Sequence, residues 1–126
     1  MNKLYGMAFI SFFFAVLFGA FGAHWIKSQV DIAVYQAYQT GALYHLIHSL
    51  ALLCFLALGE AMSSRKKIFY NSFMIVFLGI LFFSGSLYLY AITSLSWMVH
   101  ITPIGGLLFL FAWGQLAYFF LMEKKS

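Results

Sequence analysis

Apolar residues run along this chain in four long blocks, separated by short stretches where polar and charged side chains collect. The blocks 4–23, 41–60, 73–92 and 103–122 each cover about 20 residues, or roughly 30 Å of helix, which matches the hydrocarbon thickness of a bilayer. Backbone polar groups in lipid must be satisfied within the segment, so the pattern predicts four transmembrane helices. In the first, Ala8, Ser11, Ala15, Gly19 and Gly22 recur at steps of three and four, a small-residue stripe for close helix packing. The third and its flanks carry Ser72, Gly79, Ser86 and Thr93 at intervals of seven, a seam suited to left-handed packing. Between spans one and two, Ile26, Val30, Ala33, Val34, Ala37 and Tyr38 share one helical face, which predicts a short amphipathic helix lying in the interface. The fourth opens on Thr102-Pro103-Ile104-Gly105-Gly106, where Pro suits the first helical position and the Thr102 hydroxyl is placed to accept the Gly105 amide. The expected fold class is all-α: an integral membrane four-helix bundle with a short amphipathic interfacial helix between spans one and two, residues 1–126 forming a single transmembrane domain.

Composition agrees. Of 126 residues, 64% are hydrophobic and 8% charged, far from the balance of a soluble domain. The formal charge of +4 does not point to nucleic acid, because the basic residues lie at span ends, where they set topology and meet anionic lipid. Lys3, Arg65, Lys66, Lys67, Lys124 and Lys125 fall at the termini and in the loop between spans two and three, with Lys27 alone on the other side. The positive-inside rule therefore puts both termini in the cytoplasm, and an even number of spans requires them on one side. Trp25, Tyr35, Tyr38, Tyr88, Tyr90 and Trp97 then mark the outer interface, Tyr5 and Tyr70 the inner one. The start of the chain also resembles a secretory signal ending near Ala20-Phe21-Gly22, but the run is long for a signal core, and the stripe favours a retained helix. Cys54, alone within span two, is expected as a small core residue with no disulfide or thiolate metal role.

The chemically unusual stretch is Gly41-Ala-Leu-Tyr-His-Leu-Ile-His-Ser49, which places His45 and His48 inside a span and on one helical face. Ionisable groups in a span turn toward the bundle interior or a wet cavity. With Gly41 at the membrane edge, the histidines lie about 6 and 10 Å deep, and Ser86 and Ser84 lie about 9 and 12 Å below Ile92 on the same ruler. His24 and the start of span four, with Thr102 and Gly105, fall on that side, so a polar cluster is expected in the outer half. Ser11 and Gln115 are the polar exceptions of the inner half, Gln115 as glue between helices.

Three readings fit this cluster. Neutral histidines bonded to Ser84, Ser86, Tyr44 or carbonyls hold helix register. Alternatively, His45 and His48 build a site for a metal, haem, quinone or proton. Catalysis comes last, because Asp31, Glu60 and Glu123 lie at or beyond span ends and no HExxH pattern occurs. The reading favoured is a non-enzymatic accessory or scaffold protein embedded in lipid, partnered by another membrane protein or a second copy of itself.

Gly19-Ala-Phe-Gly-Ala-His24, Tyr44-His-Leu-Ile-His-Ser-Leu-Ala-Leu52, Leu81-Phe-Phe-Ser-Gly-Ser-Leu-Tyr88 and Ile101-Thr-Pro-Ile-Gly-Gly106 resemble, in order and over essentially the whole chain, the motifs of the YgdD/YwdK-like small membrane proteins, a family of unknown function. That resemblance implies a four-span bundle in a bacterial inner membrane and carries no established activity.

Overall fold

The computed structural model describes residues 2–123, so Lys124 and Lys125 of the topology argument lie outside the described residues. Four long helices cross the molecule: α1 (Asn2–Phe21), α2 (Ile32–Ala61), α3 (Lys66–Thr93) and α4 (Thr102–Met122). With their flanking turns they form apolar segments of 28, 30, 31 and 27 residues. At 1.5 Å per residue these measure about 40–47 Å, longer than the ~30 Å hydrocarbon core, so their ends project or the helices tilt.

Each helix packs on its neighbour in sequence, α1 on α2, α2 on α3 and α3 on α4. The two central helices are the most buried, while α1 and α4 flank them and present most of their side chains outward. Phe9, Phe13, Leu110 and Leu121 are all at least 60% exposed. Such exposure suits a lipid solvent, where association rests on close packing and interhelical hydrogen bonds rather than on apolar burial. The α1 stripe does face inward: Ala8, Ser11, Ala15 and Gly22 are buried, and Gly19 alone turns out. Along α3, Ser72, Gly79 and Ser86 are buried and form the seam that receives α4, while Thr93 bonds back to the Leu89 carbonyl on its own helix.

The segment between spans one and two differs from expectation. Chain 22–29 continues α1 through a π-turn (Gly22–Ile26) and one further turn, Val30 and Asp31 are extended, and α2 begins at Ile32. The amphipathic stretch is therefore shared between the two spans instead of standing as a separate interfacial helix. Its apolar face packs inward, where Ile26, Tyr35 and Tyr38 join Tyr88 and Ala91 in a second cluster backed by Phe18, Val30 and Val34. This also moves Tyr35, Tyr38 and Tyr88 from the outer interface into the core, with Tyr38 donating to the Phe18 carbonyl at 2.5 Å. Trp25 and Trp97 are exposed.

Cys54 is a second correction. It is exposed, on the α2 face opposite Leu52, Phe55 and Leu56, because a thiol facing lipid has no apolar surface to recover by burial. At the α3 end of the short loop, Arg65 Nε donates to Glu123 Oε1 at 2.7 Å, which ties that loop to the end of α4.

Candidate functional site

His45 and His48 are the fourteenth and seventeenth of the thirty α2 residues, so counted along the helix they flank its middle. Counted from Gly41 they would sit near one end, but α2 starts nine residues earlier, so along the helix they are central. Ser11, at the middle of α1, and Trp113, at the middle of α4, meet them at the same height. The polar centre of the bundle thus lies near mid-span, built from all four helices.

The two histidines approach different neighbours. His48 Nε2 accepts from Trp113 Nε1 at 3.1 Å, and His48 Nδ1 lies 2.8 Å from the Tyr44 carbonyl one turn back. An indole N–H only donates and a carbonyl only accepts, so His48 carries its proton on Nδ1 and none on Nε2. A second ring proton would set two N–H groups against each other. The ring also stacks on Phe109 with centroids 3.7 Å apart.

His45 is held otherwise. Its Nδ1 is 2.9 Å from the Tyr88 hydroxyl and its Nε2 is 3.3 Å from Ser11 Oγ, which is itself 2.7 Å from Ser49 Oγ. Hydroxyls donate or accept, so this chain of four groups accommodates either tautomer of His45. The sequence treats the pair alike; their partners make one fixed and the other adaptable.

The remaining expected site residues serve other contacts. Ser84 donates to the Gly41 carbonyl at 2.7 Å, joining α3 to α2 without touching a histidine. Ser86 and Thr102 share a hydrogen bond at 2.6 Å, and Ser86 also donates to the Phe83 carbonyl. Thr102 does not cap α4; its hydroxyl is committed to α3. Gly105 is a packing residue, since a Cβ there would collide with the Phe83 backbone. His24 is exposed and stands apart from the network. Gln115 donates to Ser72 at 2.8 Å, as interhelical glue should.

Ser11, Tyr88 and Trp113 were missed as partners of the histidines, and Ser49 as the partner of Ser11. Ser49 had a signal, four residues after His45 on the same face. Trp113 had one too: a Trp far from both interface belts needs a partner for its N–H. Among the described residues no buried side-chain nitrogen or oxygen lacks a partner, and no three His, Cys, Asp or Glu side chains gather where a metal ion could sit. Phe14, Phe18, Ile80 and Leu81 wall a cavity of about 410 Å³ between α1 and α3, with His45, Ser11 and Ser84 along its floor.

Residues 18–106 match the family described as "Protein of unknown function (DUF423)". The UPF0382 inner membrane protein YgdD of Escherichia coli strain K12 is 41% identical, over 86% of this chain and 82% of its own length. The UPF0382 membrane protein of Haemophilus influenzae is 38% identical over 93% and 92%. YwdK of Bacillus subtilis, also a UPF0382 membrane protein, is 36% identical over 79% and 80%. No solved structure matches the chain significantly. Four apolar helices around a hydrogen-bonded centre, and relatives that share most of their length with it, make this chain a member of the DUF423 family of UPF0382 membrane proteins, whose function is unknown.

Proposed function

We propose that the chain is a non-enzymatic scaffold of the inner membrane, a single four-span unit whose polar centre sets the register of its own helices and whose flanking helices meet a membrane partner or a second copy. The observation that carries this reading is that the polar centre is internally spent: His45, His48, Ser11, Ser84 and Ser86 all bond to other groups of the bundle. A bilayer-facing surface on α1 and α4 supports the partner role. Both termini and the Arg65–Lys67 loop lie in the cytoplasm, on the strength of the charge asymmetry.

The test is to replace Tyr88 by Phe, which removes one hydrogen bond and keeps the ring, and Trp113 by Phe, which removes the indole N–H and trims the side chain as well, so that Tyr88→Phe carries the energetic comparison. Register-setting bonds lose about 0.6 kcal/mol of unfolding free energy, and about 1.7 at the high end, with no change in retained metal, haem or quinone. A His45→Gln variant that releases a stoichiometric metal, haem or quinone at unchanged stability would overturn the scaffold reading. That outcome belongs to a second reading, a small-ligand or proton site on His45, favoured by the two hydroxyl partners that let this ring donate from either nitrogen.

A further inference from the structure

The hollow between α1 and α3 adjoins a second one of about 470 Å³, and the two share Phe18, Leu81, Gly85 and Tyr88. Together they form a slanted furrow running from Phe77 past Gly85 to Ile92, where Met98 and Ile101 of the α3–α4 connection close its end. From Phe77 to Ile92 is about 22 Å along the helix, and half of a ~30 Å hydrocarbon core is about 15 Å. The furrow therefore has room for the full depth of one leaflet.

We propose that this furrow seats one acyl chain of a bilayer phospholipid, with the headgroup at the Ser96–His100 end. The walls are carbon, and the polar groups beneath them are turned to one another: Tyr88 and Ser11 to His45, and Ser84 to the Gly41 carbonyl. Nothing there recognises a polar ring, so the occupant is hydrocarbon. A neighbouring helix would rest across the furrow by its side-chain ridges and leave its depth unfilled, whereas a single acyl chain can lie along its floor. The furrow ends where Trp97, 57% exposed, stands at the membrane edge, the level at which a headgroup sits.

Gly85 lies where the two hollows join. Glycine inside a helix costs about 0.5–1 kcal/mol relative to alanine. Gly41, Gly79 and Gly105 have a packing reason, for a Cβ at each would press on Leu87, Phe109 or Phe83. At Gly85, as at Gly6, Gly19 and Gly114, a Cβ would meet nothing within 4 Å, and of these four it is Gly85 that lines both hollows of the furrow. Its missing side chain leaves the furrow open where the two hollows join.

The experiment compares Gly85→Leu and Ile10→Trp, which fill the furrow from opposite walls, with Gly114→Leu, which adds the same bulk where a Cβ also meets nothing within 4 Å. Mass spectrometry of protein extracted in gentle detergent counts bound phospholipid, and a phospholipid with a photoactivatable acyl chain maps its contacts in vesicles. The wild type and Gly114→Leu should each hold one phospholipid per chain, cross-linked to α1 and α3. Both furrow-filling variants should lose that mass and those cross-links. Should Gly85→Leu fail to assemble, Ile10→Trp decides. Equal retention in all variants, cross-links spread evenly over the four helices, no retained phospholipid in the wild type, or a quinone or second copy in the furrow would each overturn the proposal. Because no His45 bond is altered, failure here leaves the scaffold reading to its own test.

Discussion

Trp113 has one polar atom and can only donate it, and from that single constraint the protonation of His48 follows. Selective 15N labelling of histidine at neutral pH should show one ring with Nδ1 protonated and Nε2 bare, and Trp113→Phe should remove that fixed signature. A His48 ring found protonated on Nε2 instead would contradict the geometry. His45 lends itself to a different measurement. Its bond to Tyr88 joins α2 to α3, and a double-mutant cycle of His45→Ala with Tyr88→Phe should give a coupling of about 0.6 kcal/mol, and about 1.7 at most, in reversible unfolding from mixed micelles. Additive losses would mean that the contact contributes nothing beyond its two side chains. That two histidines matter was legible in their position inside an apolar run. Which of them is fixed was not, because it depends on donors from α4 and α3, 65 and 43 residues further along.

Between α3 and α4, the seven-residue spacing of Ser72, Gly79 and Ser86 works as a seam because α4 brings a matching group to each position. Gln115 meets Ser72, Phe109 covers Gly79, and Thr102 meets Ser86. Two adjacent glycines of α4 test how close the helices come. A Cβ at Gly105 would strike the Phe83 backbone, whereas one at Gly106 would rest 3.8 Å from the Phe83 ring. Gly105→Ala should therefore destabilise the bundle by about 1–3 kcal/mol, as overpacking does. Gly106→Ala should be neutral or slightly stabilising, since it also removes a glycine from a helix. Thermal unfolding in detergent checks both, and equal effects at the two sites would refute the close approach. The start of α2 was misjudged for an element-scale reason. Ile26, Val30, Val34 and Tyr38 have the spacing of an amphipathic helix whether their face meets a lipid surface or a neighbouring helix, and periodicity cannot distinguish the two.

Over the whole molecule, the central pair α2 and α3 carries most of the burial, and Arg65–Glu123 joins the short loop to the end of α4 at one end of the bundle. Both partners are about one-third exposed, so the pair is worth about 0.2–1 kcal/mol and serves as a marker of that end more than as a clamp. The charge asymmetry predicts the orientation. In a Cys54→Ala background, a cysteine at Ser96 should react with an impermeant reagent added outside intact cells, and one at Ser64 only after the membrane is opened. Outside labelling at Ser64 would reverse the topology. The Cys54 replacement is needed because that thiol faces outward from the bundle.

Hydrophobic run length is a local property, so four spans, the absence of strand patterning and the inward face of α1 could be read residue by residue. So could the anomaly of two histidines in hydrocarbon, since the cost of a polar group in lipid does not depend on which helix satisfies it. Partner choice is different in kind. Whether Tyr88 marks an interface or holds His45, whether Thr102 caps α4 or binds Ser86, and whether Cys54 is core or lipid-facing all turn on how each helix is rotated and how far it slides along its neighbour. Lipid intensifies that dependence: apolar side chains are as comfortable outside the bundle as within it, so hydrophobicity alone does not say which face of a span turns inward. Small residues that permit contact, and donors that find acceptors across it, settle the rotation, and those pairings exist only once all four helices are in place.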